Sequence, residues 1–325
     1  MIAGPLVESV PNFSEGRRDE VIDEIVAAFA GAHPDVLVLD RSSDPDHNRS
    51  VLTLAGPGPA LVAAAVAGAA ACARLIDLGR HRGVHPRMGA LDVLPFVPLP
   101  GAPPPDMGAC VDLAVEAGRR LAEEVGLPVY LYGAAARRPG RARLPNVRGR
   151  GFEELLETAA RDPARAPDLG GPAPHPTAGA TAVGARPFLI AYNVNLATGD
   201  PSLAGDIARA VRERDGGLPA VRALGLALDR RGATQVSMNL LDFRVTPPAA
   251  AFAAVAELAA RANVAVIDSE IVGLAPRAAL AGVDPAGLKL RDPSPERMLE
   301  ERLRRALARR EGSAGAPPAP PARRV

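Results

Sequence analysis

Apolar residues recur at helical spacing over Arg18–Ala30, where Val21, Ile22, Ile25, Val26 and Phe29 share one face and Ser14 precedes the start. Short apolar or alternating runs flank this helix. Leu6–Val10 reads as a strand ending at Pro11, Val36–Leu39 as a second and Ser50–Leu54 as a third, with Arg41–Asn48 a polar turn-rich link. Pro59 opens an Ala-rich helix to about Leu78. Leu91–Val97 is strand-like, with Pro95 predicting an edge or irregular position. Asp106–Val125 is a helix, Val129–Tyr132 a strand and Phe152–Ala160 a short helix.

Arg161–Ala180 is rich in Pro and Gly and reads as a long loop, a length usually reserved for function or linkage. Beyond it, Phe188–Leu196, Val221–Leu228, Gln235–Phe243 and Val264–Ile267 read as strands, with a turn at Arg230–Gly232. Ser202–Arg214 and Pro247–Ala262 read as helices, and Glu296–Arg310 as a last basic helix. The second half is therefore β-α-β-β-α-β, and the first half opens in the same order before adding a helix and a strand. The pattern predicts an α+β fold of two tandem βαββαβ, ferredoxin-like α/β sandwich subdomains, with a ligand cleft between them. The expected division is residues 1–180, residues 181–312 and a disordered Pro/Ala/Arg tail, 313–325.

Composition changes this picture little. The 325 residues allow two domains with sizeable cores. Aromatics make up 3% and tryptophan is absent, so those cores must be built from Ala, Val and Leu. With 38 basic and 37 acidic side chains the formal net charge is +1, which argues against a nucleic-acid binder. Lys289 is the only lysine, so nearly every cationic site presents a guanidinium fork. Cys72 and Cys110 do not make a disulfide framework and read as buried thiols, which places the chain in the cytoplasm. No signal peptide is visible, and Leu61–Ala73 is too short for a membrane span, so no membrane association is expected.

Candidate chemistry centres on histidine and arginine. His81 and His85 flank Arg82-Gly83-Val84, and His47 sits in the polar run Asp44–Arg49. The four-residue spacing of His81 and His85 is broken by Gly83 and Pro86 and has no glutamate or cysteine partner, so a metal site is not expected. Arg49, Arg80, Arg82 and Arg87 near titratable imidazoles suit a small polyacidic substrate and proton transfer. Phosphate-loop and nucleophile-elbow signatures are missing.

Six blocks carry a resemblance. They are Val7–Gly16 (VESVPNFSEG), His47–Val51 (HNRSV), His85–Val93 (HPRMGALDV), Val129–Gly133 (VYLYG), Ala191–Leu196 (AYNVNL) and Gln235–Phe243 (QVSMNLLDF). In this order they resemble the glutamate formimidoyltransferases. The resemblance implies transfer of a formimino group from N-formimino-L-glutamate to tetrahydrofolate, giving 5-formiminotetrahydrofolate and glutamate in histidine degradation. It implies His85 as the catalytic residue and a folate segment at Gly170-Gly171-Pro172-Ala173-Pro174-His175-Pro176-Thr177-Ala178-Gly179. That loop carries no aromatic for stacking. Arg49 and Arg87 are candidate carboxylate clamps. Asn12, Asn193, Asn195 and Asn239 are candidate hydrogen-bonding partners of the pterin or the amidine. A homodimer is the implied assembly. A monofunctional enzyme is also implied, with deamination left to a separate cyclodeaminase. An N-formylglutamate donor on the same fold and a non-catalytic folate-binding protein are the alternatives.

Overall fold

In a computed structural model the described residues are 5–99, 106–228 and 232–312, together with the backbone of Arg323–Arg324. The chain divides into two compact units, one of residues 1–186 and 309–325, the other of Pro187–Ala308.

The first unit begins β1 (Leu6–Ser9), β2 (Asn12–Phe13), α1 (Asp19–Gly31), β3 (Leu37–Asp44), β4 (Arg49–Pro57), α2 (Gly58–Leu75) and β5 (Leu91–Pro98). It continues through α3 (Met107–Arg120), β6 (Val129–Gly133), α4 (Leu144–Arg148), α5 (Phe152–Thr158) and β7 (Thr181–Ala185). Strands β3-β4-β1-β5 lie side by side, antiparallel, in the ferredoxin-like order expected from the element sequence. The sheet then grows: β7 inserts between β5 and β6, parallel to both. Alternation puts Val7, Leu52, Leu54, Leu94 and Phe96 on the face packed by Ile22, Ile25 and Phe29 of α1 and Leu61, Ala65 and Ala69 of α2. The opposite face of the added strands packs Tyr130, Tyr132 and Ala182 on Val147 of α4 and Leu155 of α5. Helix α2 is long and apolar enough to cross a membrane by length and composition alone, but ten of its residues are buried.

Several sequence expectations are corrected here. The expected turn-rich link is in part strand, since β3 runs on to Asp44 and pairs Ser42 and Ser43 with Val51 and Ser50. The expected division at residue 180 falls just before β7, whose backbone pairs within the first sheet, so this unit extends to Arg186. Pro95 lies in an interior strand, not an edge. It is tolerated because the neighbouring strand is interrupted opposite it, between β1 and β2, and the Ser9 hydroxyl donates to its carbonyl at 2.9 Å. The short helix α4 was not foreseen.

The second unit is β8 (Ile190–Leu196), α6 (Pro201–Val211), β9 (Val221–Leu228), β10 (Ala233–Leu240), α7 (Pro248–Arg261) and β11 (Val266–Val272). Its four-stranded antiparallel sheet has the order β11-β8-β10-β9. Ile190, Tyr192, Val194, Val236, Met238 and Leu240 alternate onto the face covered by Ile207 and Val211 of α6 and Val255 of α7. The Asp200 side chain caps α6 by accepting from the Ser202 amide. Strand β11 extends five residues beyond its expected end at Ile267. Helix α8 (Leu299–Gly312) follows. The expected turn at Arg230–Gly232 falls largely outside the described residues, as does most of the expected tail. Of that tail, Arg323–Arg324 forms a two-residue strand, β12, parallel to Ser42–Ser43 of β3.

Candidate active site

Three segments of the first unit meet along the stretch that carries His85: the turn 45–48 between β3 and β4, the loop 76–90 between α2 and β5, and the Pro/Gly loop that leads into β7. The first two are zipped together. The Asn48 side chain donates to the Arg82 carbonyl at 3.0 Å, His81 Nε2 donates to the Asn48 carbonyl at 2.8 Å, and the Val84 amide donates to the Asp46 carbonyl at 3.1 Å. Asn48 holds φ +48°, a conformation asparagine tolerates better than most residues. Gly83 is required by close approach, because a Cβ there would overlap the His47 carbonyl oxygen.

The third segment is laced to the HPRMG block by main chain. The amides of Ala90 and Ala180 donate to the carbonyls of Ala178 and Met88, at 2.8 and 3.0 Å, and Leu78 donates to Thr177 at 2.8 Å. Gly179 sits at φ +69° with the Met88 carbonyl in the place a Cβ would take. Gly179→Ala is expected to lower unfolding stability by about 1–3 kcal/mol, read as a lower denaturant midpoint at unchanged slope.

Between these segments lies a buried charge cluster. Asp92, on β5 and fully buried, accepts from Arg49 Nη1 at 2.7 Å, Arg148 Nη2 at 2.8 Å and the Met88 amide at 2.8 Å. Burial alone would raise its pKa. The guanidiniums of Arg148 and Arg49 outweigh that and hold the carboxyl well below the usual range, so Asp92 is ionised. Arg49 also donates from Nε and Nη2 to Asn12 Oδ1, at 3.2 and 3.0 Å. One carboxylate thus faces two guanidiniums, leaving a local positive excess.

His85 is partly buried beside this cluster. Its Nδ1 is 2.8 Å from the Pro86 carbonyl oxygen, which can only accept, so Nδ1 carries the proton and a neutral ring presents a basic Nε2. Withdrawal from water, then Arg49, Arg148 and His47, drive its pKa well below the ordinary histidine value, and Asp92 only partly opposes them. His85 is a neutral base at physiological pH. The His47 ring lies close by, with centroids 5.7 Å apart.

The other candidates divide. Asn12 and Arg49 belong to the cluster. Their mutual hydrogen bonds and the Arg49–Asp92 pair give Arg49 a structural role that a substrate clamp would have to share. Arg87 is engaged by Glu153 through two hydrogen bonds, at 2.8 and 3.0 Å, and donates to the Leu78 carbonyl, so it braces α5 against the loop. In the Pro/Gly loop, Gly170–Ala173, Pro176 and Thr177 are exposed, while Pro174, Ala178 and Gly179 are buried. His175 Nδ1 accepts from the Ala178 amide at 3.0 Å and closes its own turn. Asn193, Asn195 and Asn239 are on the second unit's sheet. Asn193 donates to Glu270 at 3.0 Å and Asn195 to Asp268 at 2.6 Å. Gln235 donates to Asn195 at 3.0 Å, and Arg291 pairs with both acids. Asn193, Asn195, Gln235 and Glu270 form a buried polar network that Asp268 and Arg291 extend to the surface, whereas Asn239 is exposed.

Asp92 and Arg148 escaped sequence reasoning as site residues, and His47 was legible there only as part of the polar run Asp44–Arg49. An aspartate inside an otherwise apolar strand was the available signal for the first, since a buried carboxylate demands cationic partners. Glu8 is a comparable case. It is buried on β1, and its pKa is pushed up to about 7 by burial, with Arg186 opposing the rise.

Residues 6–186 match the model of the formiminotransferase domain, N-terminal subdomain, and residues 191–286 that of the formiminotransferase domain. The chain belongs to the formiminotransferase family. It is 45% identical to a glutamate formimidoyltransferase of Thermoplasma acidophilum, over 93% of this chain and 98% of that protein. It is 42% identical to the glutamate formimidoyltransferase of Streptococcus pyogenes serotype M1, over 88% of this chain and 94% of the relative. A formimidoyltransferase-cyclodeaminase of Sus scrofa is 46% identical over 85% of this chain, which spans 51% of that longer protein. The two family models meet between β7 and β8, where the two compact units also divide. The formiminotransferase fold therefore accounts for the added β6 and β7 as part of the first subdomain.

Proposed function

We propose that this formiminotransferase-family protein is a glutamate formimidoyltransferase, moving the formimino group of N-formimino-L-glutamate to N5 of tetrahydrofolate. The observation that carries this reading is the 45% identity to a glutamate formimidoyltransferase along 98% of that protein's length. The site chemistry agrees with it. Transfer requires one proton to leave N5 as its bond to the formimino carbon forms, and one proton to reach the glutamate nitrogen as its bond to that carbon breaks. His85, neutral and with Nε2 as its basic nitrogen, takes the first proton and returns it as the second. Arg49 and Arg148 make the surroundings attractive to substrate carboxylates while Asp92 keeps both guanidiniums in place.

The exposed stretch Gly170–Ala173, continuous with main chain bonded to the HPRMG block, is the folate segment of this proposal. His175 orders that segment through Nδ1, which accepts from the Ala178 amide.

The test is a side-by-side assay of purified protein with tetrahydrofolate and either N-formimino-L-glutamate or N-formylglutamate, measuring glutamate release. Faster release from the formimino donor is expected, with kcat/KM higher by at least about tenfold, a difference worth ~1.4 kcal/mol in the transition state. Preference for the formyl donor would reassign the substrate. No release from either donor, with folate still bound, would leave a folate-binding protein.

A further inference from the structure

We propose that His47 is a positioning residue for proton transfer: it shares a titrating site with His85 and, by becoming charged first, keeps His85 unprotonated into acidic solution. The inference rests on His85 acting as the base in the function proposed above.

The geometry places the two imidazoles as neighbours from different loops, with centroids 5.7 Å apart and planes tilted by 46°. Both loops are fixed. Gly83 packs against the His47 main chain, and the two hydrogen bonds between Asn48 and residues 81–82 hold the turn beside the His85 loop. The pair is therefore a built arrangement and not a chance meeting of mobile side chains.

The charges around the two rings differ. On the His47 side stands Asp44, at the end of β3, whose Oδ2 is 4.0 Å from His47 Nδ1 and whose Oδ1 accepts from the His47 and Asp46 amides. Asp46 is buried in the same turn, and Arg17 reaches the Pro45 carbonyl from the segment before α1. On the His85 side stand Arg49 from β4 and Arg148 from α4, with Asp92 of β5 shared between those two guanidiniums. A proton entering the pair is favoured on His47, next to a carboxylate, and disfavoured on His85, next to two cations. Once His47 is charged, repulsion at this separation resists a second proton on His85. The two rings titrate as one coupled system.

Reading kcat/KM for glutamate release against pH, for wild type and His47→Gln, tests this. Loss of the neighbouring charge raises the pKa of His85. The acidic limb is then expected to move to higher pH by about 0.5–1 unit. A mere packing defect would lower the whole curve without moving the limb, and an unmoved limb overturns the proposal.

A second measurement on the wild-type protein does not depend on activity or on the variant's folding. Ring nitrogen-15 signals of His85, followed against pH, are expected to show two inflections, one of them coinciding with the titration of His47. A single inflection, indifferent to His47, overturns the pairing. If coupling is present by this readout but neither donor is turned over, the proposed function fails and the imidazole pair stands.

Discussion

Replacing His85 by alanine is expected to lower turnover of formiminoglutamate with tetrahydrofolate by about 10²–10⁴-fold, the usual worth of a positioned general acid–base group. Folate affinity is expected to change little, because among the described residues the His85 ring is hydrogen-bonded to the neighbouring Pro86 carbonyl and to no other segment. The two readouts are the rate of glutamate release at saturating substrates and the Kd for folate by titration. The sign follows from the charges. A neutral imidazole whose pKa lies well below its ordinary value is available as a base throughout the neutral range, and alanine removes both the uptake of the first proton and its return as the second. Unchanged turnover in the variant would remove His85 from the mechanism. A parallel loss of folate affinity would instead make it a binding residue.

The second large effect is expected at Asp92. In Asp92→Ala the guanidiniums of Arg49 and Arg148 remain buried or nearly so, at 9% and 12% side-chain exposure, and lose their shared carboxylate. The Met88 amide loses its acceptor as well. Breaking one member of a buried ion pair costs about 3–5 kcal/mol, chiefly because the surviving charge is stranded away from water. The loss is measurable by chemical unfolding at neutral pH. Turnover should fall too, since Met88 begins the run that hydrogen-bonds the loop 175–180 and Arg49 borders His85.

The pH dependence provides a check on sign. Asp92 has a folded-state pKa depressed below its unfolded value, so its contribution is fully present above the unfolded pKa of ~3.9 and is lost as pH falls through the folded value. The wild-type advantage over Asp92→Ala should therefore persist at pH 5 and shrink only in strong acid. A difference below about 1 kcal/mol at pH 7 would mean that Arg49 and Arg148 find solvent or other partners, and the cluster would not be the support assigned to it.

Much of the fold was legible because it is local. The period of two along Ile190–Leu196 and the helical spacing along α1 each depend on residues within a few positions of one another. Element order then limited the topology to βαββαβ units, since short connections and antiparallel hairpins leave few alternatives. Strand β7 was missed for a local reason as well. Thr181–Ala185, TAVGA, is small and weakly patterned, and it becomes a strand only because β5 and β6 offer it two parallel edges.

The sequence alone determined most of the element order, though not α4 or β7, the histidine-bearing HPRMG block and the six-block resemblance that pointed to the formiminotransferases. The tertiary structure decided what those residues do to each other. Asp92 meets Arg49 across 43 positions and Arg148 across 56, and His47 faces His85 from a separate turn. Electrostatic interactions fall off with distance in space and not along the chain. Whether an arginine is a free clamp or one arm of a buried ion pair is therefore settled only when folding brings its partner within reach.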